Sequence, residues 1–233
     1  MPDCDSPPCF FVLPDAAGTA AQNMALDTAL LENFPRPQCA RFRHYGWTGD
    51  CWTFGYGQRF ADARAQTPPH ATPVRRPSGG GVVDHREDWT YALVIPFAHP
   101  LCRMKAGESY VKIHSALAEA LKTCGQPARL ALCTESRAGA LPACFMAPSP
   151  GDVVDSSGRK LAGAAQKRNR HGLLLQGSIT RTGVFIDWDA FKIAFTKNLS
   201  RLLSAACVPM KELSSAPESL LERYHSARWN ASR

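Results

Sequence analysis

Apolar residues along the chain fall into runs of two different periods. At about 20–34, Met24, Ala25, Leu26, Ala29 and Leu30 recur at helical spacing, and Pro35 and Pro37 stop the run. Between about 106 and 124, Tyr110, Ile113, Leu117 and Leu121 return at intervals of three and four, the stripe of a second amphipathic helix. A third begins after Asp187, a good N-cap, and carries Phe191, Phe195, Leu199 and Leu202. PESLLERYHSARW predicts a short final helix. The intervening runs read as strands. ARFRHY alternates, CWTFGYGQ is aromatic and bounded by glycine, TPVRR (72–76) is short, and WTYALVIP (89–96) is apolar up to Pro96. A strand is expected at 127–133, then three more from DVV, GRKLAGAA and GLLLQGSI, with a turn at Ser157-Gly158. Residues 1–18 predict extended chain and 134–151 a loop. Strand clusters broken by three helices, with no repeat and no linker, predict an α+β fold. The sheet is expected to be mixed, mainly antiparallel, with packed helices, in a single domain over 1–233.

Composition changes this picture little: 45% hydrophobic, 20% charged, 17 Gly and 18 Pro are ordinary for a globular chain able to bury a real core. No apolar run has membrane-spanning length, and MPDCDSPPCFFVLPDAA lacks the basic region and long apolar stretch of a signal peptide. Nine cysteines without a CxxC pair exclude zinc-ribbon spacing, and reduced thiols in a cytoplasmic protein are the expectation. The net charge of +7 adds an acidic partner, nucleic acid or protein, against the alternative of a merely solvated surface. The densest basic stretch is Lys160 to Arg170, and Lys167, Arg168 and Arg170 are the expected docking cluster.

Three segments can carry chemistry. In RRPSGGGVVDH (75–85), three successive glycines suit a backbone that approaches a ligand closely, and Arg75 and Arg76 add charge; a plain hairpin turn is the alternative. The spacing is neither GxGxxG nor a GK[ST] phosphate loop. In GRKLAGAAQKR (158–168), small residues leave room beside the chain, and Lys160 can stabilise a developing oxyanion if it is not simply an exposed lysine. In ACFMAPSPGDVV (143–154), Cys144 is a nucleophile if positive charge such as Lys160 lowers its pKa, and otherwise a buried structural thiol.

Taken together, these segments resemble the lipoate–protein ligase and octanoyltransferase family. RRPSGGGVVDHREDWTYALVIP resembles its Arg-Arg-x-Ser/Thr-Gly-Gly-Gly-x-Val-x-His signature, and GRKLAGAAQKR followed by LLLQGSI its lysine block and next strand. QNMALDTALL (22–31) and WTFGYGQ (52–58) resemble its first helix and an early strand, in family order. The resemblance implies a fold related to the biotin–protein ligase catalytic domain and a tunnel for an eight-carbon acyl chain. Arg75, Arg76, Ser78, Gly79, Gly80, Gly81, His85, Gly163 and Ala165 would bind substrate, and Lys160 would meet the acyl carbonyl.

Two chemistries exist in such a family. Ligases activate free lipoate or octanoate with ATP and Mg²⁺. Cysteine-dependent octanoyltransferases take the acyl group from octanoyl–acyl carrier protein without cofactor and pass it to a lipoyl-domain carrier protein, such as a glycine-cleavage H protein. CFMAPSPGD resembles the cysteine loop of the latter, with Cys144 as nucleophile. Only 54 residues follow Ile179, so no C-terminal accessory domain is expected. Asp152 occupies the position of an aspartate that helps hold nucleotide and metal in ligases, which keeps the ATP-dependent reading open. Gln176-Gly177 stands where relatives commonly have His-Gly. A non-catalytic basic module explains the charge but neither glycine-containing block, and neither nucleic acid nor membrane is an expected partner.

Overall fold

The computed structural model describes residues 8–132, 148–212 and 215–232. In chain order come β1 (Cys9–Val12), β2 (Ala16–Gly18), α1 (Ala20–Glu32), β3 (Ala40–Trp47) and β4 (Trp52–Phe54). Next are α2 (Phe60–Ala65), β5 (Val74–Arg75), β6 (Val83–Asp84), β7 (Asp88–Pro96), α3 (Pro100–Arg103) and α4 (Ala106–Thr123). Then follow β8 (Arg129–Leu130), β9 (Val153–Val154), β10 (Lys160–Asn169) and β11 (Gly172–Thr180). Last are α5 (Trp188–Leu203), β12 (Ala206–Pro209), α6 (Glu218–His225) and α7 (Ala227–Asn230).

The main sheet runs β12-β1-β3-β7-β11-β10-β9-β8, with β2 beside β3. β1 lies parallel to β12 and β3, β2 lies parallel to β3, and every other pairing in this sheet is antiparallel. A small second sheet, β5-β4-β6, carries the chain into and out of the glycine loop. The fold is thus the expected α+β arrangement with a mixed, mainly antiparallel sheet.

Both faces of the sheet centre are covered, which explains the continuous apolar stretches 91–95 of β7 and 173–175 of β11. On one face Trp89, Tyr91, Leu93 and Ile95 of β7 pack with Leu173, Leu175 and Ile179 of β11 against Ile113 and Leu117 of α4 and Phe191, Phe195 and Leu199 of α5. On the other, Val94 and Leu174 pack against Leu30 and Leu31 of α1. Asp187 caps α5 by accepting from the backbone N–H groups of Asp189 and Ala190.

Besides α2, α3, β6 and β12, which were not expected, three features differ from the sequence expectations. α1 buries polar residues on two sides: Asn23 and Asp27 meet Arg43 of β3, and Thr28 meets Tyr224 of α6, which covers the far side of the helix. The C-terminal helix is divided in two at Ser226, whose side chain accepts from the Trp229 N–H. Cys9 and Cys39 are joined by a disulfide, with Cα atoms 5.0 Å apart, where reduced thiols were expected. Among the described residues, no helix is long and apolar enough to cross a membrane.

Leu199→Ala, in the fully buried α4–α5 core, should destabilise the fold by about 2–5 kcal/mol. Ile193→Ala, on the exposed side of the same helix, should stay within about 0.5 kcal/mol. Urea unfolding of the two variants measures the difference, and equal losses would contradict this packing.

Candidate active site

A cavity of about 530 Å³, counting its open mouth, lies on the α1 face of the sheet. Strand register orders its walls. Gly163 of β10 pairs with Ser178 of β11, which pairs with Thr90 of β7, which pairs with Tyr45 of β3. One step along, Ala165 pairs with Gln176. Met24 of α1 and Gly80 of the glycine loop close the cavity from above. Lys160, Trp47 and His85 stand at one end. Gly163 and Ala165, whose side chains are absent or small, leave the room that a ligand needs.

Lys160 is held, not loose. Its ammonium lies 2.8 Å from Asp152 Oδ2, and the side chains are 9% and 2% exposed. A Cβ on Gly163 would sit 2.7 Å from Lys160 Cε and 2.8 Å from its Nζ, so a larger residue there would displace the end of the lysine. Asp152 is fixed in turn: Oδ2 accepts from the Ser149 N–H at 2.7 Å, and Oδ1 from the Tyr110 hydroxyl at 2.5 Å. Tyr110 also accepts the Ala164 N–H at 3.0 Å, which ties α4 to β10. Asp152 is thus paired with Lys160 and is not among the residues that line the cavity. Beside it, the Nδ1–H of His114 donates to Gly151 O at 2.8 Å, and its buried Nε2 finds no hydrogen-bond partner among the described residues.

The glycine loop is shaped by its own chain. Arg76 donates to the carbonyls of Gly79 and Gly81 at 2.9 and 2.8 Å and to Thr53 Oγ1 at 2.7 Å. Gly80 adopts φ +89°, a region costly for side-chain-bearing residues. A Cβ on Gly55 would lie 1.9 Å from Gly80 O. One close approach required by the glycines is therefore to the protein's own backbone. His85 is stacked on Trp47 with centroids 3.9 Å apart; its Nδ1 donates to Asp88 Oδ2, and Thr53 Oγ1 lies 2.7 Å from its Nε2.

Of the residues singled out in the sequence, Arg76, Gly80, His85, Lys160, Gly163 and Ala165 meet at this cavity. Ser78 acts behind it through Gln176, and Gly79 and Gly81 contribute carbonyls to Arg76. Arg75 is elsewhere: fully buried, it donates to the carbonyls of Tyr56, Gln58, Trp229 and Asn230 and pins the C-terminus to the small sheet. Cys144 lies outside the described residues. The expected Lys167–Arg168–Arg170 cluster is split by strand alternation. Arg168 donates to the carbonyls of Cys102 and Met104 and to Ser109 at the start of α4, while Lys167 sits 5.3 Å from the Tyr56 ring. Sequence reasoning missed Tyr110, Asp27 and Thr90, polar residues inside apolar runs. Their position on otherwise buried stretches was the available signal.

The site thus combines a mostly apolar cavity with a lysine ammonium that is paired to a buried carboxylate at one end. Residues 19–203 match the family described as Lipoyl protein ligase A/B catalytic domain, and the chain belongs to that family. Octanoyltransferase LipM of Halalkalibacterium halodurans is 33% identical over 221 residues, covering 87% of this chain and 78% of the relative. The LipM proteins of Kyrpidia tusciae and Bacillus subtilis are 36% and 34% identical over 171 residues, covering 70% and 68% of this chain. The chain spans only 62% and 60% of those two relatives' lengths. Among solved structures, lipoate-protein ligase A bound with ATP superposes with a TM-score of 0.71 at 17% identity, covering 96% of this chain and 98% of that one. The lipoate protein ligase of Thermoplasma acidophilum gives 0.68 at 17% identity, over 97% of both chains. These likenesses establish the lipoate-ligase catalytic fold.

The buried His114 gives the folded state a pH signature. Burial pushes its pKa down to about 4 from the ordinary value near 6.5. The unfolded chain gains a proton below about 6.5, which the folded chain resists until about 4. Its contribution is therefore complete above that window and is lost as pH falls through it. The stability of His114→Gln should vary less between pH 6.5 and 4 than that of the wild type, by up to about 1.4 kcal/mol per pH unit. Denaturant titrations across the range measure it, and parallel curves would show that the imidazole does not titrate as a buried neutral group.

Proposed function

We propose that this chain is an octanoyltransferase that moves an acyl group from octanoyl–acyl carrier protein, through a thioester on Cys144, to a lysine of a lipoyl-domain carrier protein. The observation that carries the reading is the Lys160 ammonium, clamped by Asp152 at one end of an apolar cavity. The 33–36% identity to proteins named octanoyltransferases supports it.

In the first half-reaction, the Cys144 thiolate attacks the donor thioester carbonyl. The tetrahedral oxyanion collapses, the carrier's thiolate leaves, and the acyl group rests on Cys144 as a thioester. In the second, the neutral amine of the acceptor lysine attacks that thioester, the amine gives a proton to solvent, and the tetrahedral intermediate collapses to the amide with release of the Cys144 thiolate. Lys160 stabilises the oxyanion in both steps, and its charge favours the thiolate. Asp152 and Tyr110 fix where that charge sits. The buried acyl chain contributes roughly 0.8 kcal/mol per CH₂. The net charge of +7 suits acidic carrier proteins.

The alternative, ATP-dependent ligation of lipoate or octanoate, draws on the family and on Asp152. Against it, both carboxylate oxygens of Asp152 are committed to Lys160, Ser149 and Tyr110, a poor arrangement for a Mg²⁺ ligand.

One assay separates the two. The protein is given octanoyl–acyl carrier protein without ATP, or octanoate with ATP and Mg²⁺, and acylation of a lipoyl domain is followed by mass spectrometry. Product is expected in the first reaction only, with an octanoyl adduct on Cys144 that is lost in Cys144→Ser. Lys160→Ala should lower the rate about 10²–10³-fold, as removal of one oxyanion donor does. Product only in the ATP-dependent reaction would replace this proposal with the ligase.

A further inference from the structure

A second hollow continues the line of the cavity. Lys160 marks one end, and β10 then runs through Gly163 and Ala165 along the cavity to Lys167, which borders the second hollow. On α1 the same order holds: Met24 lines the cavity, while Thr28 and Leu31, one and two turns on, line the hollow. The glycine loop also straddles both, with Gly80 on the cavity and Pro77 on the hollow. Three elements thus place the hollow, floored by Leu31, Tyr224 and Trp229, beyond the end of the cavity farthest from Lys160.

What stands at the boundary is a hydrogen-bonded bar. Gln176 lines the cavity opposite Ala165. Its Oε1 accepts from Ser78 Oγ at 2.5 Å, and its Nε2 donates to Asp27 Oδ2 at 2.7 Å and lies 3.2 Å from Met24 Sδ. The amide therefore spans from α1 to the glycine loop, with both ends tied and only 6% of the residue exposed. A side chain held at both ends has lost the rotamer freedom that would let it swing aside for a longer ligand.

We propose that Gln176, tied between Ser78 and Asp27, is the end wall that sets the length of acyl chain the cavity accepts. This inference rests on the acyl-transfer reading, in that it takes Lys160 as the carbonyl end. A chain that reaches Gln176 stops against a satisfied amide, and burying further methylenes there would break the Ser78 and Asp27 hydrogen bonds without replacement. With the wall removed, the added methylenes enter the hollow beside Leu31 and Trp229.

The test is direct binding of free octanoate, decanoate and dodecanoate by titration calorimetry, with no turnover required, to wild type, Gln176→Ala and Gln176→Met. Wild type should bind octanoate and gain nothing from the longer acids. Gln176→Ala should gain about fourfold in affinity per added methylene, on the order of tenfold for decanoate over octanoate. Gln176→Met, which keeps the bulk without the amide, should keep the wild-type ranking. Gln176→Asn, an amide one methylene shorter, replaces the alanine variant if that variant does not fold, and should show the same direction of change. Variants that bind octanoate yet keep the wild-type length limit would overturn the end-wall role. A Met variant that behaves like Ala would overturn the steric account. Wild type that fails to bind octanoate at all would instead overturn the acyl-cavity reading on which the inference stands.

Discussion

Asp27 is the point on which this architecture turns. Its carboxylate is fully buried on α1, where loss of hydration pushes its pKa up. It persists there because Arg43 of β3 lies 3.5 Å away and because Tyr45 and Gln176 donate to it at 2.9 and 2.7 Å. A buried charge so placed specifies position more than it adds stability, since desolvation offsets most of the Coulomb gain. α1 can sit on this sheet in only one register, the one that brings Asp27 over Arg43. Through Gln176 that register extends to Ser78, and so the glycine loop and the cavity roof inherit it.

A second polar chain runs on the opposite face and has a different purpose. Tyr110 of α4, Asp152 and Lys160 connect a helix in the main core to the end of β10. The large core cluster around Trp89, Tyr91, Phe191 and Phe195 makes that face rigid, and the lysine takes its position from it. Gly177 belongs to the same design: a Cβ there would meet the Tyr91 ring at 2.3 Å, so the glycine leaves space for an aromatic ring under the cavity floor. The cavity is thus walled by small residues on its floor and by hydrogen-bonded side chains at its end, an arrangement that presents an apolar ligand with a fixed shape.

Much of this was legible in the chain itself. The three long helices, the long strands β3, β7, β10 and β11 and the Asp187 cap follow from periodicity and capping, which are local, while the resemblance to the family joined the glycine block to the lysine block. A helix stripe repeats every three or four residues whatever packs on it, and a run such as WTYALVIP reads as buried wherever it ends up. The two glycine-containing blocks pointed to the family for the same reason, because their residue types are dictated by backbone geometry within a few positions.

What only the tertiary structure decided is the role of each charged or polar side chain. Arg75 and Arg76 are neighbours with the same chemistry, yet alternation sends one to the C-terminal carbonyls and the other to the glycine loop beside the cavity. Lys167 and Arg168 part in the same way, and the Arg168 guanidinium is consumed by carbonyls more than sixty residues away. Asp152 reads equally well as a metal ligand or as a lysine's partner until Lys160 and Tyr110 are seen around it. The physical reason is common to all three. Hydrophobic patterning records which face of an element is buried. The fate of a buried charge depends on partners distant in sequence, which no local period encodes.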